Sequence, residues 1–374
     1  VNDLVVRNST GPGVLLWKGG IQGSYWDISN NGATGLDIRE FHPDLFLVSS
    51  HNNSGHGVSV IDSSNVELEQ IHTSHNGLGT VLPSSGAGIY FDESNDVVSA
   101  GKNVSCTNCS SSHDQHGVVI RDSIDIFLDG ITSREPLFGP ALDIDNSGIT
   151  EREGRVSLSN ITVFQNSSTH SVELNLADAT IDNLEIVGSN YGVKWSAIGG
   201  MTSYLNSSLI RGSQGCMELI DHTDLVSSSV LFECEGANPS VSSSFVNFTD
   251  SSFSTALGMS ETFSTLGNSH IRWISSSRIA TPNFTGSDNI IDLMWFVEAN
   301  VVNQNLRNIP FSDVNFSFDQ LEVEFTHTLP YSGREVVGPF IGQRWTPIQS
   351  WSQNTTMSPG CDYDDVHNDS APIQ

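Results

Sequence analysis

The sequence predicts an all-β chain: a parallel β-helix, a solenoid of stacked coils, over residues 1–287, a small antiparallel β-sandwich over 288–348, and a linker or tail over 349–374. Three observations predict it. Nine short runs, each opened by a small residue, recur at spacings of 22, 22, 31, 29, 24, 30, 21 and 24 residues. Within each run the apolar side chains fall at the second and fourth positions, the period of a strand with one buried face and not the 3.6-residue period of a helix. After about residue 288 this phrase gives way to longer alternating stretches separated by polar turns.

The runs, in order, are Gly13-Val14-Leu15-Leu16, Gly35-Leu36-Asp37-Ile38, Gly57-Val58-Ser59-Val60, Gly88-Ile89-Tyr90-Phe91, Gly117-Val118-Val119-Ile120, Ala141-Leu142-Asp143-Ile144, Ser171-Val172-Glu173-Leu174, Gly192-Val193-Lys194-Trp195 and Cys216-Met217-Glu218-Leu219. A repeat unit of one coil cannot bury its apolar face alone, so such units stack. Later in several coils a second apolar pair appears, and five residues past its first member stands an asparagine: Trp26 to Asn31, Val48 to Asn53, Ile71 to Asn76, Ile161 to Asn166. Asparagine tolerates left-handed turn angles, and at the strand spacing of ~4.8 Å stacked amides can bond to one another, so these positions predict an internal ladder. Insertions at Leu78 to Ala87 and Arg134 to Pro140 lengthen two coils as loops, the expected rims of any groove.

The phrase Gly57-Val58-Ser59-Val60 through Asn65-Val66-Glu67-Leu68 to Ile71 and Asn76 resembles the right-handed parallel β-helix family, the pectate-lyase-like proteins with their carbohydrate-binding and sugar-hydrolase repeats. The resemblance covers residues 13–236 well and 237–285 poorly. It implies a fold more than a function, since this architecture hosts lyases, hydrolases, epimerases, tailspikes and inert stalks.

Beyond it, Ile290 to Val302, Val314 to Phe318 and Leu321 to Phe325 alternate as strands of a small sandwich. This stretch resembles the carboxypeptidase-regulatory or Ig-like modules of microbial surface proteins, with Ile309-Pro310-Phe311-Ser312-Asp313-Val314 where their proline-ending loop would sit. The competing reading makes these strands the last coils and cap of the solenoid. The tail from Trp345 carries Cys361-Asp362-Tyr363-Asp364-Asp365, which lacks the glycine and closing glutamate of a calcium loop.

With 43 acidic against 15 basic residues, a net charge of −28 repels nucleic acid and anionic membranes. No apolar run is long enough for a spanning helix. The chain starts at Val1 without methionine or signal peptide, so an excised or processed piece of a longer protein is expected. Twelve sequons begin at Asn8, Asn52, Asn103, Asn108, Asn160, Asn166, Asn206, Asn247, Asn283, Asn315, Asn354 and Asn368. That is about twice the chance expectation for this composition, and with low lysine and abundant serine it favours an exported glycoprotein, archaeal by composition. Among five cysteines, Cys106 and Cys109 form a lone C-x-x-C without the second pair of a zinc site. Cys216 and Cys234, at the start of one strand and the end of the next, are either a disulfide of an oxidising compartment or two buried thiols.

Candidate chemistry is sparse. Gly55-His56-Gly57 is similar to the Gly-His-Gly of polygalacturonase-like hydrolases, a resemblance that implies an aspartate pair one coil earlier and a downstream Arg-Ile-Lys. This chain offers Asp37 alone and no Arg-Ile-Lys. Just past the first strand of successive coils stand Asp92, Arg121 and Asp145, where Asp92 and Asp145 could hold Ca²⁺ and Arg121 act as the base of a polysaccharide lyase, or where the three form a charge-alternating ladder. His51 and His75 are expected to stack at the turn. Trp17, Tyr25 and Tyr90 are candidate sugar platforms, while Trp26 and Trp195 fit inward positions.

The expected function is an extracellular, glycosylated segment of a surface protein, a stalk or an adhesion and glycan-binding module joined to other modules of its parent chain. The alternative is a polysaccharide lyase or glycoside hydrolase acting in the groove, with Asp37, His56 and Arg121 as catalytic candidates. A third possibility is a self-associating subunit of an extracellular filament or coat.

Overall fold

The computed structural model describes the chain except residues 64–65, 78–85, 93–103, 108–109, 124–125, 147–155, 166–168, 177, 189, 198–201, 223, 235–239, 256–261, 267, 276–280, 286–287, 301–304, 309–310, 312, 319–322, 333, 347–349, 353–354, 360–370 and 374. Among the described residues every regular element is a strand. Most of the chain is a parallel β-solenoid with three sheets around one continuous apolar core.

The first sheet stacks residues 14–17 and 36–39 with Val58–Ile61, Ala87–Asp92, His116–Arg121, Leu142–Asp145, His170–Asn175, Tyr191–Ser196 and Gly215–Ile220. These are the nine sequence runs, each in register with the next. Ser240–Ser242, Thr262–Leu266 and Thr281–Thr285 continue the same sheet. The solenoid thus carries on through the stretch where the repeat reads poorly: the register places Val241, Thr265 and Phe284 in line with Leu219, so a threonine interrupts the apolar type at that position. The small opening residue has a steric cause: a Cβ on Gly57 would come within 2.6 Å of the Gly88 carbonyl oxygen and 2.7 Å of Asn76 Nδ2. The second sheet runs from residues 19–24 to Ile290–Asn300, and the third from Val5–Arg7 to Ser252–Thr255.

Sharp corners separate the sheets, and left-handed residues turn them. At the corner leading back to the first sheet these are Asn8, Asn30, Asn52, His75, His113 and Glu135, with φ between 47° and 60°. Short polar side chains visit this region most readily, which accounts for the asparagines. The ladder residues sit one position further on and point inward. Asn31 Nδ2 donates to Asn53 Oδ1 at 2.9 Å, Asn53 Nδ2 to Asn76 Oδ1 at 2.9 Å, and Asn76 Nδ2 to Asp114 Oδ1 at 2.9 Å. The expected ladder therefore exists, but an aspartate continues it; Asn166 lies outside the described residues.

One register expectation is corrected. His51 pairs with Ser74, not with His75. His75 instead stacks on His113 with ring centroids 5.0 Å apart, and His51 lies against Asp27. A difference of one residue in distance to the ladder asparagine places the two histidines on different columns.

Cys216 and Cys234 are joined as a disulfide that closes one coil covalently. Cys109 and Cys361 lie outside the described residues. At the far end Ile290–Asn300 is parallel to His270–Ile274 on one edge and antiparallel to Arg334–Trp345 on the other. One strand thus belongs both to the solenoid and to the antiparallel part. Buried Asp292 fastens it, bonded to Arg344 (2.5 and 2.7 Å) and to His270 Nε2 (2.8 Å). Burial works against its ionisation, but these bonds outweigh burial and hold its carboxyl below the usual range. A second antiparallel sheet orders Val323–Thr328, Asp313–Phe318, Thr355–Pro359 and Ala371–Ile373, with Phe316 against Phe340 of the first. Within 349–374, expected as a linker or tail, Ser350–Ser352, Thr355–Pro359 and Ala371–Ile373 join the antiparallel sheets.

Candidate functional site

Strand alternation sends the middle residue of each run outward, and register then stacks these residues into columns on the outer face of the first sheet. One column reads Asp37, Ser59, Tyr90, Val119, Asp143, Glu173, Lys194 and Glu218. Two residues further along lies a parallel column of Arg39, Ile61, Asp92, Arg121, Asp145 and Asn175. The sequence candidates Asp37, Asp92, Arg121 and Asp145 therefore share one face, and Asp92, Arg121 and Asp145 occupy successive rungs as expected.

Their side chains are bonded to polar neighbours on the same face. Asp37 is only 4 % exposed and takes both Arg39 Nε (3.1 Å to each oxygen) and Arg39 Nη2 (2.8 Å). Arg121 turns to Asp143, with Nη1 donating to Oδ1 at 3.0 Å and Nη2 to Oδ2, a two-pronged ion pair. Asn175 Nδ2 donates to Asp145 Oδ1 at 3.0 Å, and Ser196 Oγ to Asn175 Oδ1 at 2.9 Å, extending a chain of polar bonds rung to rung. Lys194 stands between Glu173 and Glu218 in register. Among the described residues no group of three or more His, Cys, Asp or Glu gathers as a metal site, and Asp92 and Asp145 stand two rungs apart with Arg121 between them in register.

His56 enters this face from the position before Gly57. Its ring stacks on Tyr90 at 4.4 Å with 17° between planes, and its Nδ1 accepts the Ala87 N–H at 3.2 Å, leaving the proton on Nε2. Burial pushes its pKa down to about 4; the Asp37 charge opposes that shift and His116 adds to it. His56 is therefore a neutral hydrogen-bond donor at pH 7. The Tyr90 hydroxyl donates to Asp92 Oδ2 at 3.1 Å, and burial followed by that carboxylate pushes its pKa up to about 12. Beside His116, the Arg134 to Pro140 insertion folds back, with the Leu137 and Phe138 amides bonded to Asp114 and Gln115 carbonyls, and leaves Phe138 69 % exposed.

The other candidates are spread over the molecule. Trp17 and Tyr25 are exposed, whereas Trp26 and Trp195 are buried core. Asn8, Asn52 and Asn160 are exposed, left-handed corner residues; Asn206, Asn247 and Asn315 lie half-buried in strands. Asn283 lies in the strand Thr281–Thr285. Asn103, Asn108, Asn354 and Asn368 lie outside the described residues. Asp143 and Lys194 were legible as the third residue of their runs, but their pairing across rungs depends on insertion lengths and emerges only from the register.

Fold and face define a parallel β-solenoid with a polar, self-paired outer sheet. No family model, no curated protein and no solved structure matches the chain. No helix among the described residues is long and apolar enough to cross a membrane.

Proposed function

We propose that this chain is an extracellular, N-glycosylated stalk segment whose first-sheet face binds glycans without transforming them, within a pectate-lyase-like surface protein carrying a C-terminal sandwich module. The observation that supports the reading is the chain of outward polar side chains, in register at ~4.8 Å per rung, in which Arg39 pairs with Asp37, Arg121 with Asp143, and Asp145, Asn175 and Ser196 are linked by hydrogen bonds. A lyase base must be free to take a proton, and Arg121 is engaged by Asp143 on both prongs. Exposed sequons at the corners would let glycans stand away from the faces. Screening the purified chain against a panel of soluble polysaccharides by affinity electrophoresis and product analysis tests this: retardation without new reducing ends or unsaturated uronates is expected.

One observation favours the hydrolase alternative. Asp143 and Asp145 point outward two residues apart on one strand, a backbone spacing of roughly 6.6 Å by strand rise, which sets two carboxylates on one face as such an enzyme needs, with Asp143 held by Arg121. Release of reducing ends that disappears in Asp145→Asn would establish it in place of the binding role.

A further inference from the structure

Three sequons differ from the others in backbone and exposure. Asn8, Asn52 and Asn160 are exposed and left-handed, at φ of 60°, 55° and 52°, where the chain turns from one sheet to the next. A sugar on an exposed corner amide meets water, whereas one on a strand residue must fit between the side chains of the rungs on either side. Asn160 Nδ2 donates to Asp129 Oδ1 at 2.7 Å through one of its two N–H groups; a glycosidic linkage consumes only the other, so this bond survives modification.

Asn206, Asn247 and Asn315 lie in strands instead. The sequon at Asn206 needs the hydroxyl of Ser208, which is only 3 % exposed, donates to the Asn206 carbonyl at 2.7 Å and accepts the Leu184 N–H at 3.2 Å. Asn247 stands in register between Val226 and Arg272, and Asn315 between Thr326 and Ser358, each on a strand paired along both edges.

The corner columns add a second observation. Asn8, Asn30 and Asn52 follow one another on successive coils at one corner, and Asn160 and Asn183 at another. In each column the asparagine next to a sequon lacks the required hydroxyl: Asn30 precedes Asn31-Gly32 and Asn183 precedes Leu184-Glu185. Asn8 and Asn52 are thereby spaced two rungs apart, roughly 9.6 Å, where a single rung of ~4.8 Å would crowd two sugars. Both columns border the third sheet. At the corner between the first and second sheets the left-handed residues include Glu40, Asp62, Asp122, Leu176, Asp221 and Ser243, and no asparagine stands among the left-handed residues there.

We infer that, of these six sequons, Asn8, Asn52 and Asn160 are the modified ones, so that glycans fence both borders of the third sheet and leave the corner between the first and second sheets bare; this rests on the N-glycosylated reading proposed above. In the modification, Nδ2 bonds to C1 of an oligosaccharide activated on a lipid phosphate. The bond from C1 to the phosphate oxygen breaks, the lipid phosphate leaves with its electron pair, and the amide gives up one proton.

Glycopeptide mass spectrometry on the full chain secreted from a glycosylating eukaryotic cell tests it, since cellular quality control favours secretion of folded molecules. Expected is glycan on most molecules at Asn8, Asn52 and Asn160, with Asn206, Asn247 and Asn315 unmodified. Asn8→Gln, Asn52→Gln and Asn160→Gln should each lower the mass of the secreted chain by one glycan, and Asn247→Gln should change it only by the substitution. Glycan at Asn206, Asn247 or Asn315, or a corner site left bare while other sequons are occupied, overturns the inference but leaves N-glycosylation standing. Absence of glycan from every sequon overturns the N-glycosylated reading itself and the inference with it.

Discussion

After Ile28, the inner column of the third sheet is polar through the next four coils, reading Ser50, Thr73, Ser111 and Ser133; in the later coils the same column reads Val163, Ile186, Ile210 and Phe232. The polar side is knitted by directional bonds. Ser50 Oγ donates to the Gly57 carbonyl at 2.6 Å, Asn53 Nδ2 to Ser50 Oγ, and Thr73 and Ser111 hydroxyls to Asp114. The apolar side is filled by volume, with Phe232 against Phe248, Phe248 against Trp273, and the Cys216–Cys234 bridge closing one coil. Directional bonds set register coil by coil, whereas packing stabilises more per side chain but specifies register less. One solenoid thus uses two ways of keeping its coils aligned.

The largest expected effect tests the packing half. Phe232→Ala removes a fully buried ring packed on Phe248 in the aromatic stack and should cost about 3–5 kcal/mol in urea unfolding. Ser111→Ala, at the matching place in the polar column, removes one hydroxyl donor and should cost about 1 kcal/mol. If the serine proves the costlier loss, the division into packed and bonded coils is wrong. Next comes the bridge. Replacing both Cys216 and Cys234 by Ala opens a loop closed across 18 residues of sequence separation, worth about 3 kcal/mol. Amide exchange should quicken around residues 209–255 and stay slow at 36–60; uniform loosening would mean that the coils share one cooperative unit.

Acid should act on both halves through one buried histidine in each. His222 is buried in the later coils, its Nε2 on the Trp195 carbonyl at 3.2 Å and its Nδ1 lacking a partner, and burial pushes its pKa down to about 4. A histidine whose folded pKa lies below its unfolded value contributes stability that is complete above about pH 6.5 and is lost as pH falls toward 4. His56 has the same sign in the early coils, so each should contribute on the order of 3 kcal/mol of acid lability. His222→Gln should flatten the stability profile between pH 6.5 and 4 by about half; an unchanged slope would assign the lability elsewhere.

How much of this was legible follows the same division. The first-sheet runs and the core residues Leu36, Ile38, Val58, Val60, Ile89 and Phe91 stand in the sequence because inward alternation is local. The ladder through Asn31, Asn53 and Asn76 was legible because its spacing to the preceding apolar pair is constant. Its continuation at Asp114 was not, since aspartate there breaks the residue type while keeping the place. The face was half legible: Asp92, Arg121 and Asp145 could be aligned by counting, but the choice of Asp143 by Arg121 is settled by side-chain reach across a rung, which no spacing encodes. The shared strand Ile290–Asn300 was read as the start of a module because a long alternating strand carries no sign of which edge is parallel.

The smallest expected effect is the sharpest test of the bonded half, and it concerns Asp114. Its carboxylate accepts the Asn76 backbone N–H at 2.7 Å, Asn76 Nδ2 at 2.9 Å, Ser111 Oγ at 2.8 Å and Thr73 Oγ1 at 3.0 Å. Burial raises its pKa nevertheless, opposed by these bonds, so the folded chain holds this proton more tightly than the unfolded one. The sign is then opposite to that of the histidines: stability from this site falls as pH rises above about 3.8 toward the folded pKa. Asp114→Asn keeps an oxygen for both Asn76 donors and offers its amide to two hydroxyls that can turn to accept, so it should lie within about 1 kcal/mol of the natural chain at pH 7 and remove this pH dependence. Asp114→Ala leaves the Asn76 amide and backbone N–H buried without an acceptor and should cost about 2–3 kcal/mol. Equal losses in the two variants would show that the ladder needs a negative charge here, and the early coils would then be held by ion–dipole attraction and not by the amide geometry on which the comparison rests.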